Sequence, residues 1–404
     1  MATVTFVGKQ RAQAQVGTLT VGTADTGGTI TVTVGGTASV VITPTTTNTT
    51  TTAEELLAAL QAAAQANPVF AELTWEQDAA VVTFTGPADG SPIVISKTDG
   101  GSNATTLDDD AVADPLSPFD LADAANYSGG ALPSNGDTLV MGSPAKYGLT
   151  ALAAVGLAEF VRPAGVQVGL PDVNPAGYPE FRTTYMSLKS TLATIDVSNQ
   201  DGAGAVRLNL VTTACTLTVR GDQGGGQLGG EALHLKGSAA ATAVNLTGGS
   251  FAACPGAEDT LTMTTLRAIG ATVRVGPGCT LGTPTIFGGT VLLEASWSSG
   301  LTVDGGAAVT VGRAATGTMT LDSGSVLWLS TANPGNSPAI GSGAALDLSQ
   351  APSGLTIGGT VALNAGCTLN DAAGRGGNYA VQTVRCTLAE VNWITPNGKT
   401  FTLS

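Results

Sequence analysis

Charge and aromatic surface are what these 404 residues have least of: 11% are charged, 4% are aromatic, and His234 is the single histidine. A globular domain ordinarily carries roughly 25% charged residues. The surface must therefore be clothed mainly by Thr, Ser, Asn and Gly. Low charge combined with a 43% apolar content argues against intrinsic disorder, which needs the opposite balance. No run approaches the ~20 apolar residues of a membrane helix, and the 55 glycines keep no three-residue period, which removes collagen. Five cysteines (Cys215, Cys254, Cys279, Cys367, Cys386) form an odd set without CxxC spacing. That excludes a disulfide scaffold or a zinc site and reads as buried, reduced thiols in a chain made in the cytosol. A net charge of −14 leaves no basic cluster for phosphate contacts, so nucleic acid is not an expected partner. The opening MATVTFVGKQ lacks the basic-then-apolar pattern of a secretion signal, and the Asn-x-Thr/Ser sequons then carry no glycosylation meaning.

What is present is alternation. Thr29 to Val34 (TITVTV) and Thr37 to Thr43 alternate at period two around Gly35-Gly36, a hairpin signal. Thr52 and Glu55 have capping-box spacing, Leu56, Leu57, Leu60 and Ala64 share a helix face, and Asn67-Pro68 stops it. Phe70 to Glu76 and Ala79 to Thr85 read as a second hairpin, and Pro92 to Ser96 as a last strand. This predicts a small α+β module with Trp75 in or beside its core. From about Thr98 to Phe119 the composition turns to Gly, Asn, Asp and Pro. The run Asp108-Asp109-Asp110 has the carboxylate density of a calcium ligand set, but a solvated linker accounts for it more simply.

From Leu121 onward the strands are short and punctuated by Gly, Asn or Asp, as in VRLNL (Val206 to Leu210), LHLKG (Leu233 to Gly237) and TMTLDSG (Thr318 to Gly324). They recur about every nine residues between Val273 and Leu329, the scale of a solenoid with coils of roughly 20–30 residues. Cys-Thr-Leu recurs at Cys215, Cys279, Cys367 and Cys386, placing Cys and Leu inward and Thr outward. The expected fold is mainly β: residues 1–105 an α+β docking module, 106–120 a linker and 121–404 a parallel β-helix.

Asn126-Tyr127-Ser128-Gly129-Gly130, then Leu132-Pro133 and Gly136-Asp137-Thr138-Leu139-Val140, resembles the opening segment of many β-helical surface and virion proteins, with Tyr127 where Trp is usual. Tyr147-Gly148-Leu149, Gly169-Leu170-Pro171, Asn174, Gly177-Tyr178, Glu180-Phe181-Arg182 and Tyr185 resemble a signature of tailed-phage and prophage proteins, with Phe181 in place of the commoner Tyr. The module with its Thr-Ala-Glu-Glu-Leu helix is similar to modules appended to phage head and tail proteins. The resemblance implies a virion structural role, no catalytic residue, and an interaction segment at Asn174, Tyr178, Glu180, Arg182 and Tyr185.

Catalytic signals are weak beside this. Glycoside hydrolysis needs two carboxylates at a set separation, yet Asp196, Asp201, Asp222, Glu231, Glu258, Asp259, Glu294, Asp304, Asp322 and Asp347 are scattered, mostly in apparent turns. His234 lacks a nucleophile motif. Gly224, Gly226 and Gly229 satisfy GxGxxG without a following helix. Arg220-Gly221-Asp222 spells an adhesion tripeptide of the length that arises by chance. The Thr-x-Thr runs hint at an ice-binding array, but strand propensity explains them. Trp297, Trp328 and Trp393 lie far apart for a carbohydrate platform. The reading is a non-enzymatic virion protein, a head-decoration or tail-spike component made in the host cytoplasm. It needs no cofactor or metal, and its partners are other virion proteins and further copies of itself, by analogy a trimer, with no membrane partner. A glycan-binding or depolymerising tailspike and a bacterial surface adhesin are the alternatives.

Overall fold

A computed structural model describes residues 2–36, 38–146, 156–162, 166–169, 186–188, 192–197, 206–210, 216–221, 233–237, 242–313, 317–330, 338–353, 355, 357, 359–373, 380–394 and 402–403. The chain is mainly β, a parallel β-solenoid joined to a small β/α module. Most solenoid strands alternate between buried and outward positions, as Val206–Leu210, Leu233–Gly237 and Gly300–Asp304 show, although Ser250–Ala253 is buried throughout. Val, Leu and Ile fill the inward positions, and Thr, Asn and charged residues the outward ones, because a strand sends successive side chains to opposite faces.

Each strand pairs in parallel with the one a turn away. Gly300 registers with Thr318, Thr320 with Ala339, Ala362 with Gln382 and Ala380 with Thr402, so a turn takes about 20 residues. The corners need glycine where strands pass close. Gly289 has φ +81° and a Cβ there would lie 2.2 Å from the Ala271 carbonyl oxygen; Gly324, at φ +97°, would meet the Ala307 oxygen at 2.3 Å.

The first strand of the chain belongs to this solenoid. β1 (Thr3–Phe6) runs parallel to β9 (Thr138–Met141), which continues to the strand Leu157–Val161. Between them lie β2 (Val16–Thr23), β3 (Ile30–Val34), β4 (Ala38–Ile42), helix α1 (Thr49–Ala66), β5 (Thr74–Asp78), β6 (Val81–Thr85), β7 (Ile95–Asp99) and β8 (Ala104–Ala113). These form two antiparallel sheets, β5-β6-β2-β8 and β4-β3-β7, with α1 packed on them. Leu19, Ile30, Val32, Leu56, Leu60, Phe70, Trp75 and Phe84 make a core separate from that of the solenoid.

Several expectations change here. The stretch expected as a linker contains β8, whose Ala104–Asp108 segment pairs with β2, and the three aspartates are exposed on this sheet-edge strand. Charge at an edge blocks pairing with other chains, so an Asp run suits an edge strand as well as a loop. Helix α1 begins a turn earlier than the capping box implied. Asn48 Oδ1 accepts from the Thr51 N–H at 3.0 Å, while Glu55 is taken by the Thr45 hydroxyl and amide. Asn67 ends α1 and caps a single helical turn, Pro68–Ala71, which replaces the start of the expected strand from Phe70. The strand expected over Pro92 to Ser96 runs Ile95–Asp99, and β8 follows it as the module's last. The Cys-Thr-Leu copies at Cys279 and Cys367 have Cys and Leu buried as expected. At Cys386 the chain turns through Arg385 (φ +56°) into a 3-10 turn, so Cys386 is half-buried and Leu388 exposed. Cys215 lies outside the described residues.

Candidate functional site

The best-built polar constellation is the segment that starts the solenoid. Asn126 is fully buried, and its Nδ2 donates to the carbonyls of Ser117 (2.8 Å) and Asp120 (2.9 Å). Its Oδ1 accepts from the Gln10 N–H (2.8 Å), and its own carbonyl accepts from Val7 and Gly8. Both polar atoms of the side chain are thus used: Nδ2 braces the loop before β9, and Oδ1 with the backbone carbonyl ties that loop to the segment after β1. Next to it, the Tyr127 hydroxyl donates to the Leu121 carbonyl at 2.8 Å, and burial pushes this phenol well above its ordinary range. The Asp137 carboxylate accepts from the Ala2 N–H (2.7 Å) and the Ser134 N–H (2.9 Å), which hold it below the usual carboxylate range. The residues that carried the resemblance are therefore bolts of a junction. Lys146 extends it to the module, lying 3.3 Å from Asp89 and 4.2 Å from the centre of the Phe119 ring.

The segment expected to make interactions, Asn174, Tyr178, Glu180, Arg182 and Tyr185, lies outside the described residues, as do Tyr147, Asp201, Asp222, Glu231 and the GxGxxG glycines.

A second polar region covers the outward face of the sheet through Val206–Leu210 and Leu233–Gly237. Arg207 registers with His234, and Asn209 with Lys236. A shallow depression of about 200 Å³ at its end is lined by Asn209, Lys236, Gly237, Glu258, Asp259 and Thr260. Its charges engage one another: Lys236 Nζ lies 2.8 Å from Asp259 Oδ1, and the other Asp259 oxygen accepts from the Gly256 N–H. Several other carboxylates singled out in the sequence behave similarly. Glu294 pairs with Arg274, Asp304 accepts from Ser323 and Gly305, and Asp347 accepts from Asn370 and Ser349. Arg220 of the adhesion tripeptide lies 3.8 Å from Asp196 on the neighbouring turn and 3.0 Å from Glu159 on the turn beyond it. Such pairs strap adjacent turns at the surface.

Sequence separation concealed one contact. The rings of Trp297 and Trp328 meet edge-to-face at 6.0 Å, both inside the core, so they fill the solenoid and offer no outward platform. Outward threonines align only in part: Thr285, Thr302 and Thr320 stack on successive turns, bounded by Arg267 and Ala339. Among the described residues no three His, Cys, Asp or Glu side chains gather as a metal site. Comparison with protein-family models, curated proteins and solved structures finds no match to this chain.

Proposed function

We propose that the chain is a non-enzymatic structural protein of a phage virion, a head-decoration or tail-spike component in which the solenoid serves as a rigid rod. The observation that carries this reading is the junction. Asn126, Tyr127 and Asp137, the residues that resemble the opening segment of β-helical virion proteins, bind the first strand of the chain to the start of the solenoid. Stacked parallel ladders then use the backbone polar groups turn after turn, which favours stiffness and resistance to proteolysis. The β/α module is the docking element in this proposal, other virion proteins its partners, and the assembled form a trimer made in the host cytoplasm. Antibody labelling of purified particles tests it: label at a fixed place on head or tail is expected.

The depression beside Lys236 and Asp259 favours a second reading, a spike that holds host glycan. Its amide, carboxylates, ammonium and hydroxyl could exchange hydrogen bonds with sugar hydroxyls. Incubation with host polysaccharide followed by a reducing-end assay separates a depolymerising spike from a purely structural one.

A further inference from the structure

Two of the five thiols meet inside the solenoid wall. Cys254 follows the strand Ser250–Ala253 and Cys279 opens the strand Cys279–Leu293; both are buried. The Cys254 side chain lies beside the Cys279 thiol and interacts with it. The backbone brings them together. The Gly276 N–H donates to the Ala253 carbonyl at 2.8 Å, fixing one turn against the next, and the Cys279 N–H returns to the Gly276 carbonyl at 3.1 Å. Gly276 must lack a side chain, since a Cβ would sit 1.8 Å from the Cys254 carbonyl oxygen.

Cys254 is also in an uncommon backbone state. Its φ is +47°, the left-handed region that residues with a Cβ seldom adopt, and its N–H is held by the Leu235 carbonyl at 2.8 Å. A strained conformation that its surroundings enforce is a starting point for a functional hypothesis. The neighbouring Cys254 side chain and burial both push the Cys279 thiol up, so that thiol rests protonated. Gly256, Ala257 and Glu258 are exposed in the turn after Cys254, and Pro277 and Gly278 are half-buried just before Cys279.

We propose that Cys254 and Cys279 are a modification site, an intramolecular disulfide pair that a small-molecule disulfide oxidises. One cysteine loses its proton and attacks a sulfur of the reagent, forming a mixed disulfide and releasing one thiol. The second cysteine, also deprotonated, attacks the protein sulfur of that mixed disulfide and releases the other thiol. In sum, two protein S–H groups and one reagent S–S bond become one protein S–S bond and two reagent S–H groups. The reaction is slow because the buried pair must first become accessible by local opening. The product joins consecutive turns of the solenoid. This goes beyond the virion reading and does not depend on it; movement from a reducing to an oxidising compartment would supply the occasion in any host setting.

The other neighbouring cysteines provide a control. The Cys386 thiol is half-buried and donates to the Leu363 carbonyl at 3.4 Å.

The test uses the full chain and bis(2-hydroxyethyl) disulfide, followed by denaturation, alkylation of remaining thiols and peptide mass mapping. The expected product is a linked pair of peptides carrying Cys254 and Cys279, lighter by two hydrogens than the reduced pair, with a mercaptoethanol adduct at Cys386. Cys279→Ser should give no linked product. The reaction is repeated in urea below the unfolding transition to admit the reagent. Both thiols still alkylatable there, adducts on each without a link, or Cys254 or Cys279 linked to another cysteine would overturn the proposal.

Discussion

Phe6 meets Tyr127 edge-on, with ring centroids 5.5 Å apart and planes at 78°, and both rings are buried in the solenoid core. The contact joins the chain's first strand to the loop that precedes β9, across the whole inserted module. The junction consequently holds the fold at the point where the chain leaves the solenoid and comes back.

Truncating either ring should therefore be costly. Phe6→Ala is expected to lose about 3–5 kcal/mol, the range for removing a buried aromatic. Tyr127→Phe keeps the ring contact and strands the buried Leu121 carbonyl, costing about 1–3 kcal/mol. Urea unfolding followed by circular dichroism would read both, with Phe6→Ala the larger.

A chain beginning at Asp120 should fold poorly. It lacks β1, so the edge of Thr138–Met141 is left unpaired and the Asn126 side chain loses Gln10. Open parallel edges invite aggregation. Removing only residues 16–113 and bridging the gap with a short Gly/Ser linker keeps β1, and this shorter chain should remain monodisperse where the Asp120 start aggregates. Size-exclusion chromatography of the two distinguishes them.

How much of this was legible in the sequence follows from range. The period-two runs, the positions of Trp75 and of the inward Cys279 and Cys367, and the solenoid itself are local patterns that alternation and glycine placement reveal. β1 was not legible, because Thr3–Phe6 alternates like any short strand and only its parallel partner, far along the chain, assigns it to the solenoid. β8 escaped for a different reason: three consecutive aspartates look the same on an exposed edge strand as in a loop. The roles of Asn126, Tyr127 and Asp137 were flagged by resemblance alone, since nothing local says that a buried amide will bind backbone groups from both sides of an insertion. The meeting of Trp297 with Trp328 and of Cys254 with Cys279 depends on which turns stack, which short irregular repeats do not encode.

Acid should weaken the junction. Asp137 has its carboxyl held below the ordinary range by the Ala2 and Ser134 N–H groups. A depressed folded pKa adds stability that is present above the unfolded value, about 4, and is lost as pH falls through the folded value. Melting temperature should thus drop on acidification below about pH 4. Asp137→Asn should lower stability at neutral pH and flatten part of that acid limb; an unchanged acid limb would remove Asp137 from the account.

The Trp pair gives a prediction remote from the junction. Trp328→Ala leaves a large cavity beside Trp297 and should cost about 3–5 kcal/mol. Because no proposed docking residue lies there, particle binding at low temperature should persist in any variant that stays folded. Thermal unfolding and co-sedimentation with particles check the two halves separately.

The virion role is the central claim, and immunogold electron microscopy of particles from a lysate that contains this chain tests it most directly. Regular label at one site on heads or tails, with a copy number divisible by three, is the expected result. Label confined to cell envelopes, or absent from intact particles that otherwise carry their full protein complement, would contradict it.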